Sequence, residues 1–324
     1  MTSRLGRYTV LGRLAKGSTA DVLLAIPDPG HLVGRPRRVV LKRLYPHVAT
    51  DELLVRMFVD ELQLLARFDD DGIVRVYDLD IAGNDSDGDP DYFAVLELVD
   101  GPSLSAAQRL HARTLQPFPV DVAVAIVARI ARALAVVHAL PDVDGTPLQL
   151  VHRDVTPDNI LLDRDGRVLL ADFGLARSVV GRDSGTLVSK ETTAGTKKGK
   201  ASWRAPEQLL GPSSSTGAHT DLYALGATLW SLLAGRPPFS RELGDVALFE
   251  AIAHGPTPRL RDVVDGIDPG LDDLCAQLMH KDPKQRPQHA DDVVTALSPW
   301  STSSDDRARI AAFVQALGLP SLRA

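Results

Sequence analysis

Between residues 8 and 45, apolar and polar residues alternate in three short runs, YTVLGRLAKG, ADVLLAI and RRVVLKRLY, with Gly or Pro in the gaps. A period of two predicts strands of a half-buried sheet, here an antiparallel meander. The period then changes. In TDELLVRMFVDELQLLARF, residues 50–68, Leu54, Met57, Phe58, Leu62 and Leu65 share one stripe, which predicts a helix. Asp51 and Glu52 stand at its start, where negative charge is favoured. Two further strands are expected in IVRVYDLDIA and YFAVLELV. Beyond Gly101 the helical period dominates, over 103–112, 120–140, 221–235, 245–253, 271–280 and 290–298. Two short β-like runs, ILLD and RVLLA, flank a turn at Asp165 and Gly166. The expected fold class is α+β, in two lobes. A small antiparallel sheet with one main helix covers about 8–97, a hinge about 97–101, and a larger, mainly helical lobe 102–298. Residues 299–324 form an extension, a polar STSSDD followed by a short amphipathic helix, DRARIAAFVQAL.

Length and charge narrow the class. A chain of 324 residues suits two lobes better than one small core. A formal charge of −6 argues against a nucleic-acid binder. The single cysteine, Cys275, has no internal disulfide partner, so a reducing cytoplasm is the expected location. The most apolar stretch, residues 120–140, is interrupted by Asp121, Arg129 and Arg132, so a buried helix is expected there rather than a membrane span. The N-terminus lacks the long apolar run of a signal peptide. The acidic run GNDSDGDPD, residues 83–91, lacks the terminal bidentate Glu of a calcium loop and reads as a solvated hairpin tip.

The candidate chemistry is phosphoryl transfer, which needs a phosphate cradle, metal ions and an acceptor held in line. AKGSTADV, residues 15–22, lies between two predicted strands. Lys42 ends VVLK, Glu61 lies on the predicted helix, and VHRDVTPDN carries Asp154 and Asn159. LLADFGLAR carries Asp172, RAPEQ carries Glu207, DLYALG carries Asp221 and KDPKQRP carries Arg286. In this order and at these intervals, over roughly residues 8–298, the set resembles a bacterial eukaryotic-type Ser/Thr protein kinase.

The resemblance implies a two-lobed fold with ATP in the cleft between the lobes, Mg²⁺ (or Mn²⁺) as metal, and protein substrates; it says nothing of oligomeric state. Ala15, Gly17 and Ala20 would be the cradle, with Ala15 and Ala20 in place of the family's outer glycines. Lys42 would bind the α- and β-phosphates and be held by Glu61. Asp154 would take or orient the acceptor's hydroxyl proton, and Asn159 and Asp172 would hold metal. Leu96 would stand beside the adenine, Glu97 and Val99 would offer hinge backbone groups, and Val22, Val40 and Leu161 would sandwich the ring. Leu65, Tyr77, His152 and Phe173 would form an apolar stack. Glu207 would pair with Arg286, and Asp221 would anchor the catalytic loop from below. Trp203 falls where the family shapes its acceptor pocket.

One departure stands at the centre. The family's catalytic loop usually reads H-R-D-x-K-P-x-N, and Thr156 occupies the lysine's place. The segment before A-P-E usually opens G-T, yet GKASWRAPE has Lys200 where the threonine belongs. A swap is expected: Lys200 brings its ammonium beside Asp154, and the Thr156 hydroxyl steadies it. A segment running from Asp172 to Glu207 would then have to be ordered for catalysis. Thr186, Ser189, Thr192, Thr193 and Thr196 are its candidate phosphosites, with Arg153 as a natural partner for a phosphate. Three other readings remain: a pseudokinase scaffold, favoured by Ala15, Ala20 and Thr156; a small-molecule phosphotransferase, disfavoured by Glu207 with Arg286; and tyrosine specificity, since tyrosine kinases also lack the loop lysine.

Overall fold

The computed structural model describes residues 3–31, 37–83, 90–142, 144–173, 198–212, 215–240, 242, 244–301 and 305–323. The chain divides into two compact units, residues 1–100 with 322–324, and residues 101–321.

The first unit is built on a six-stranded antiparallel sheet. Its strands are β1 (Ser3–Leu5), β2 (Tyr8–Lys16), β3 (Ala20–Pro27), β4 (Val39–Leu44), β5 (Val76–Ala82) and β6 (Asp91–Leu96). They lie in the order β1-β2-β3-β4-β6-β5. Register decides which residues share a face. Val22 pairs with Lys42 and Leu24 with Val40, while Lys42 pairs with Ala94 and Val40 with Leu96. Directly opposed residues, and residues two apart, point to the same side. One face therefore carries Val22, Leu24, Val40, Lys42, Ala94 and Leu96. The other carries Leu23, Ala25, Val39, Leu41, Phe93 and Val95, which form a core with Leu5 and Tyr8.

Two helices follow β4, α1 (Pro46–Ala49) and α2 (Glu52–Leu65). The Asp51 side chain accepts from the backbone N–H groups of Leu53 and Leu54 and so caps α2. Phe58 and Leu62 of α2 pack with Ala20, Leu44 and Ala94, covering one end of the Lys42 face.

The second unit is mainly helical: α3 (Leu104–His111), α4 (Val120–His138), α5 (Pro206–Leu210), α6 (Ala218–Ala234), α7 (Gly244–Ala253), α8 (Pro269–Leu278), α9 (Ala290–Leu297) and α10 (Asp306–Ala316). A two-stranded ribbon, β7 (Ile160–Leu162) and β8 (Val168–Leu170), carries the loop that precedes it. The helix α4 is buried along most of its length, which is why its residues read as nearly continuous apolar sequence. Gly226 on α6 allows close packing on α8, since a Cβ there would stand 2.5 Å from the Leu278 Cβ. Among the described residues, no helix is long and apolar enough to cross a membrane.

The predicted strands and long helices appear within a few residues of their expected limits. The elements not foreseen are short: β1 has three residues, α1 four and α5 five. Segments of that length do not complete a period that a pattern could show. The strand expected over 92–99 ends at Leu96, and Glu97 N–H then donates to the Arg75 carbonyl at 2.9 Å.

Candidate active site

In the first unit, β2 and β3 turn through residues 17–19, and residues 11–19 are all exposed. Gly17 N–H donates to the Ala20 carbonyl at 2.9 Å, which closes the turn. A Cβ on Gly17 would stand 3.0 Å from that same carbonyl, so the tight turn favours glycine. Ala15 lies opposite Val22, in the strand leading to the turn. This exposed hairpin is the segment that the resemblance makes a phosphate cradle.

Lys42 projects from β4 toward Glu61 on α2, with Nζ and Oε1 3.7 Å apart and both side chains largely buried. Val22, Val40 and Leu96 share the face of Lys42 and belong to one apolar cluster with Leu24 and Leu98. Glu97 and Val99 follow β6, and the Val99 side chain is buried. Leu161 lies in the second unit, on β7, where it bridges to Ser103.

The loop 151–159 of the second unit is held from several sides. Asp221, fully buried at the start of α6, accepts from the backbone N–H of His152 at 2.8 Å and of Arg153 at 2.7 Å. His138 at the end of α4 contacts the same carboxylate at 2.9 Å. From α5, Gln208 donates to the Arg153 carbonyl at 3.0 Å. These anchors maintain Arg153 at φ +65°, an uncommon conformation for a residue with a Cβ. His152 is fully buried and packs at a tilt against Phe173, ring centroids 4.4 Å apart. Burial lowers its pKa and outweighs the opposing pull of Asp221 and Asp154, so it is a neutral packing residue.

Asp154 stands at the end of this scaffold. Asn159 donates from Nδ2 to the Asp154 carbonyl at 2.9 Å and to its Oδ2 at 2.8 Å. Lys200 donates from Nζ to the same Oδ2 at 2.7 Å and to Asn159 Oδ1 at 3.0 Å. Both bonds fall on Oδ2, and Oδ1 has no hydrogen bond among the described residues. Ala171 N–H donates to the Asn159 carbonyl at 2.9 Å, which brings Asp172 beside Asn159 in the chain's course. Asp172 is exposed and has φ +54°. The Asn159 amide oxygen and the Asp172 carboxylate are hard oxygen donors of the kind that divalent cations take.

Lys200 therefore lies where the missing loop lysine was expected to act. The other half of the expected swap is corrected. The Thr156 hydroxyl is buried and has no hydrogen-bond partner among the described residues, so it bonds to neither Lys200 nor Asp154. The second contact on Lys200 comes from Asn159, whose amide reaches both partners at once.

Glu207 and Arg286 form a two-pronged pair, Nη1 to Oε1 at 2.7 Å and Nη2 to Oε2 at 2.9 Å, with both side chains buried. Thr220 also donates to Glu207, at 2.9 Å. Trp203 precedes this pair and is buried. The five candidate phosphosites, Thr186, Ser189, Thr192, Thr193 and Thr196, lie outside the described residues, as does most of the 83–91 acidic run. Sequence reasoning missed Gln208 and His138. Gln208 directly follows Glu207 in RAPEQ, a position that could have drawn notice. His138 carries no local signal, because its partner lies 83 residues away.

A family model of the protein kinase domain matches residues 8–297. The chain is 32% identical over 298 residues to a tyrosine-protein kinase, MasK, of Myxococcus xanthus, across 91% of this chain and 43% of that protein. It is 32% identical over 282 residues to the serine/threonine-protein kinase PknL of Mycobacterium tuberculosis, across 86% of this chain and 62% of that protein. The chain thus spans less than two thirds of the length of either relative. Among solved structures, the PknI kinase domain of Mycobacterium tuberculosis is similar to this chain. Its alignment has a TM-score of 0.63 at 26% identity and covers 93% of this chain and 98% of that one. With an anchored Asp154 loop, a Lys42–Glu61 pair and a match that runs nearly end to end, this chain belongs to the protein kinase domain family.

Proposed function

We propose that this chain is an active protein kinase that moves the γ-phosphoryl group of Mg-ATP to a serine or threonine hydroxyl of a protein substrate. The observation that carries the reading is the arrangement at Asp154. Its Oδ2 is held by Asn159 and Lys200, while Oδ1 remains to receive a proton. The acceptor oxygen would bond to the γ-phosphorus as the bond to the β–γ bridging oxygen breaks. ADP leaves, and the hydroxyl proton passes to Asp154. Asn159 and Asp172 would hold the Mg²⁺, which when bound neutralises phosphate charge. Lys42, kept in place by Glu61, would bind the α- and β-phosphates, and the Gly17 hairpin would offer its backbone to them.

Lys200 would supply the charge that the family draws from the catalytic loop. What matters for a developing negative charge is where the ammonium sits, not which segment brings it. That argues against a pseudokinase, since the residues for base, metal and both cations are all present. The named Ser/Thr kinase relatives and the Glu207–Arg286 pair favour a protein substrate over a small molecule. The single cysteine fits a reducing, cytoplasmic setting.

A second reading, tyrosine as acceptor, is favoured by the name of one relative and by the absence of a loop lysine. One experiment addresses both. Phosphatase-treated protein is incubated with Mg-ATP beside an Asp154→Asn control, and intact mass is followed by phosphoamino-acid analysis. Phosphate added to wild type alone, on Ser or Thr, supports the main reading. Phosphotyrosine selects the second, and no transfer to the chain itself or to a generic protein acceptor overturns both.

A further inference from the structure

The face of the first unit's sheet that carries Lys42 is covered at its two ends by different parts of the chain. At the Leu44 end lies α2, through Phe58 and Leu62. At the Val40 end lies Leu322, packed on the cluster of Leu24, Val40 and Leu98. Two directional bonds keep it there. Asp100 accepts from the Leu322 N–H at 2.6 Å, and Arg38 donates to the Leu322 carbonyl at 2.7 Å. Arg38 precedes β4 by one residue and Asp100 follows Val99, so both anchors belong to the edge where the adenine is expected.

The segment leading to Leu322 is itself fixed, within the second unit. Phe313 of α10 packs on Phe118 with ring centroids 4.9 Å apart, and Arg309 pairs with Asp121 at 2.9 Å. Arg307 donates to the Asp165 carbonyl at 3.0 Å. Gly166, at φ +80°, is matched to this helix: a Cβ there would stand 1.9 Å from the Arg307 carbonyl oxygen. This extension lies past residue 297, where the family match ends.

We infer that Leu322 forms a wall of the adenine site, so that the segment following α10 contributes to nucleotide affinity. The inference rests on the kinase reading. Three features favour a wall over a plug. Leu322 sits at the Val40 end, about 7 Å along the strand from Lys42, where phosphates would be held. Its side chain is only partly buried, which leaves surface for a ligand. Its bonds are made by backbone atoms, so the side chain alone faces the cluster. A base lying on Val22 and Val40 would meet Leu322 at its outer edge and cover apolar surface there.

The test uses the full chain, a Leu322→Ala variant and a chain ending at Ser321. ADP and tripolyphosphate binding are measured by titration calorimetry, KM and kcat for ATP by transfer to a protein acceptor, and folding by Tm. Loss of Leu322 is expected to weaken ADP binding and raise the KM for ATP about five- to tenfold, far more than it changes kcat. Tripolyphosphate, which has no base, should bind all three proteins alike. Arg38→Met keeps Leu322 but releases its carbonyl, and should shift ADP affinity in the same direction. Unchanged or tighter ADP binding in the variants, with wild type binding normally, overturns the wall and leaves the kinase reading standing. Tighter binding would mark the tail as a plug. A wild type that binds no nucleotide takes down both readings.

Discussion

Lys42 and Lys200 each face a carboxylate, but they reach it by different means. Lys42 leaves the middle of a strand and meets Glu61 on a capped helix, so two regular elements set a 3.7 Å separation. Lys200 comes from a short 3₁₀ segment, Lys198–Trp203, and meets Asp154 at 2.7 Å with Asn159 as a second acceptor. The first lysine is positioned by the sheet and would be present whenever the first unit is folded. The second depends on its segment being in place. On the proposed mechanism this is a division of labour, in which the lysine that would bind phosphates sits on the sheet and the lysine that would supply charge in transfer comes from the 3₁₀ segment.

That division is most severely tested at the carboxylate Lys200 serves. Asp154→Asn keeps the shape of the side chain but cannot take the hydroxyl proton. Turnover should fall about 10³–10⁴-fold, with ADP binding retained by calorimetry. Near-normal turnover would remove Asp154 from the chemistry and leave Lys200 without a role. Next in size is Lys200→Met, which deletes a charge beside the transferring group. Its kcat should fall about 10²–10³-fold. If Lys42 alone sufficed, this variant would turn over like wild type. The comparison is sharpened by the exchange Thr156→Lys with Lys200→Thr, which returns the lysine to the loop. The pair should recover at least about tenfold over Lys200→Met, because the ammonium regains a place near Asp154. A double variant no better than the single would show that Lys200 acts through segment order and not through charge.

Much of this is legible in the sequence. The period-two runs and the stripe of α2 predict the elements that carry Lys42 and Glu61, and the family resemblance implies that the two pair; they stand 3.7 Å apart. Asp221, Glu207 and Arg286 were expected as anchors, and each makes strong, buried bonds. What was not legible depends on side-chain aim. Thr156 was expected to bond to Lys200, yet a buried hydroxyl's direction is set by packing around it, which no local pattern encodes. The His138–Asp221 contact joins helices far apart in sequence. Leu322 follows Pro320 and Ser321 as a lone apolar residue, with no period to mark it as buried. Its meaning comes from Arg38 and Asp100, more than 200 residues away.

The smallest expected effect concerns how the Lys200 segment is tied down. Glu207 follows that segment and is clamped by Arg286. Burial pushes the Glu207 pKa up, but the hydrogen bonds and charge of Arg286 outweigh it, and the net shift is downward. A carboxylate whose folded pKa is depressed adds stability that is fully present above its ordinary pKa. That stability is lost as pH falls through the folded value. Wild type should therefore lose stability to urea as pH drops below about 4.5, the ordinary glutamate value, beyond what its other acids contribute. Glu207→Gln keeps the shape and removes the titration. It should be less stable than wild type at pH 7, and the gap should narrow as acid neutralises the native carboxylate. Parallel loss in both proteins would mean the pair does not govern acid stability. If the gap does narrow, kcat and ADP affinity measured across the same variants separate the two lysines again: on the proposed mechanism, weakening the clamp should lower kcat more than ADP affinity.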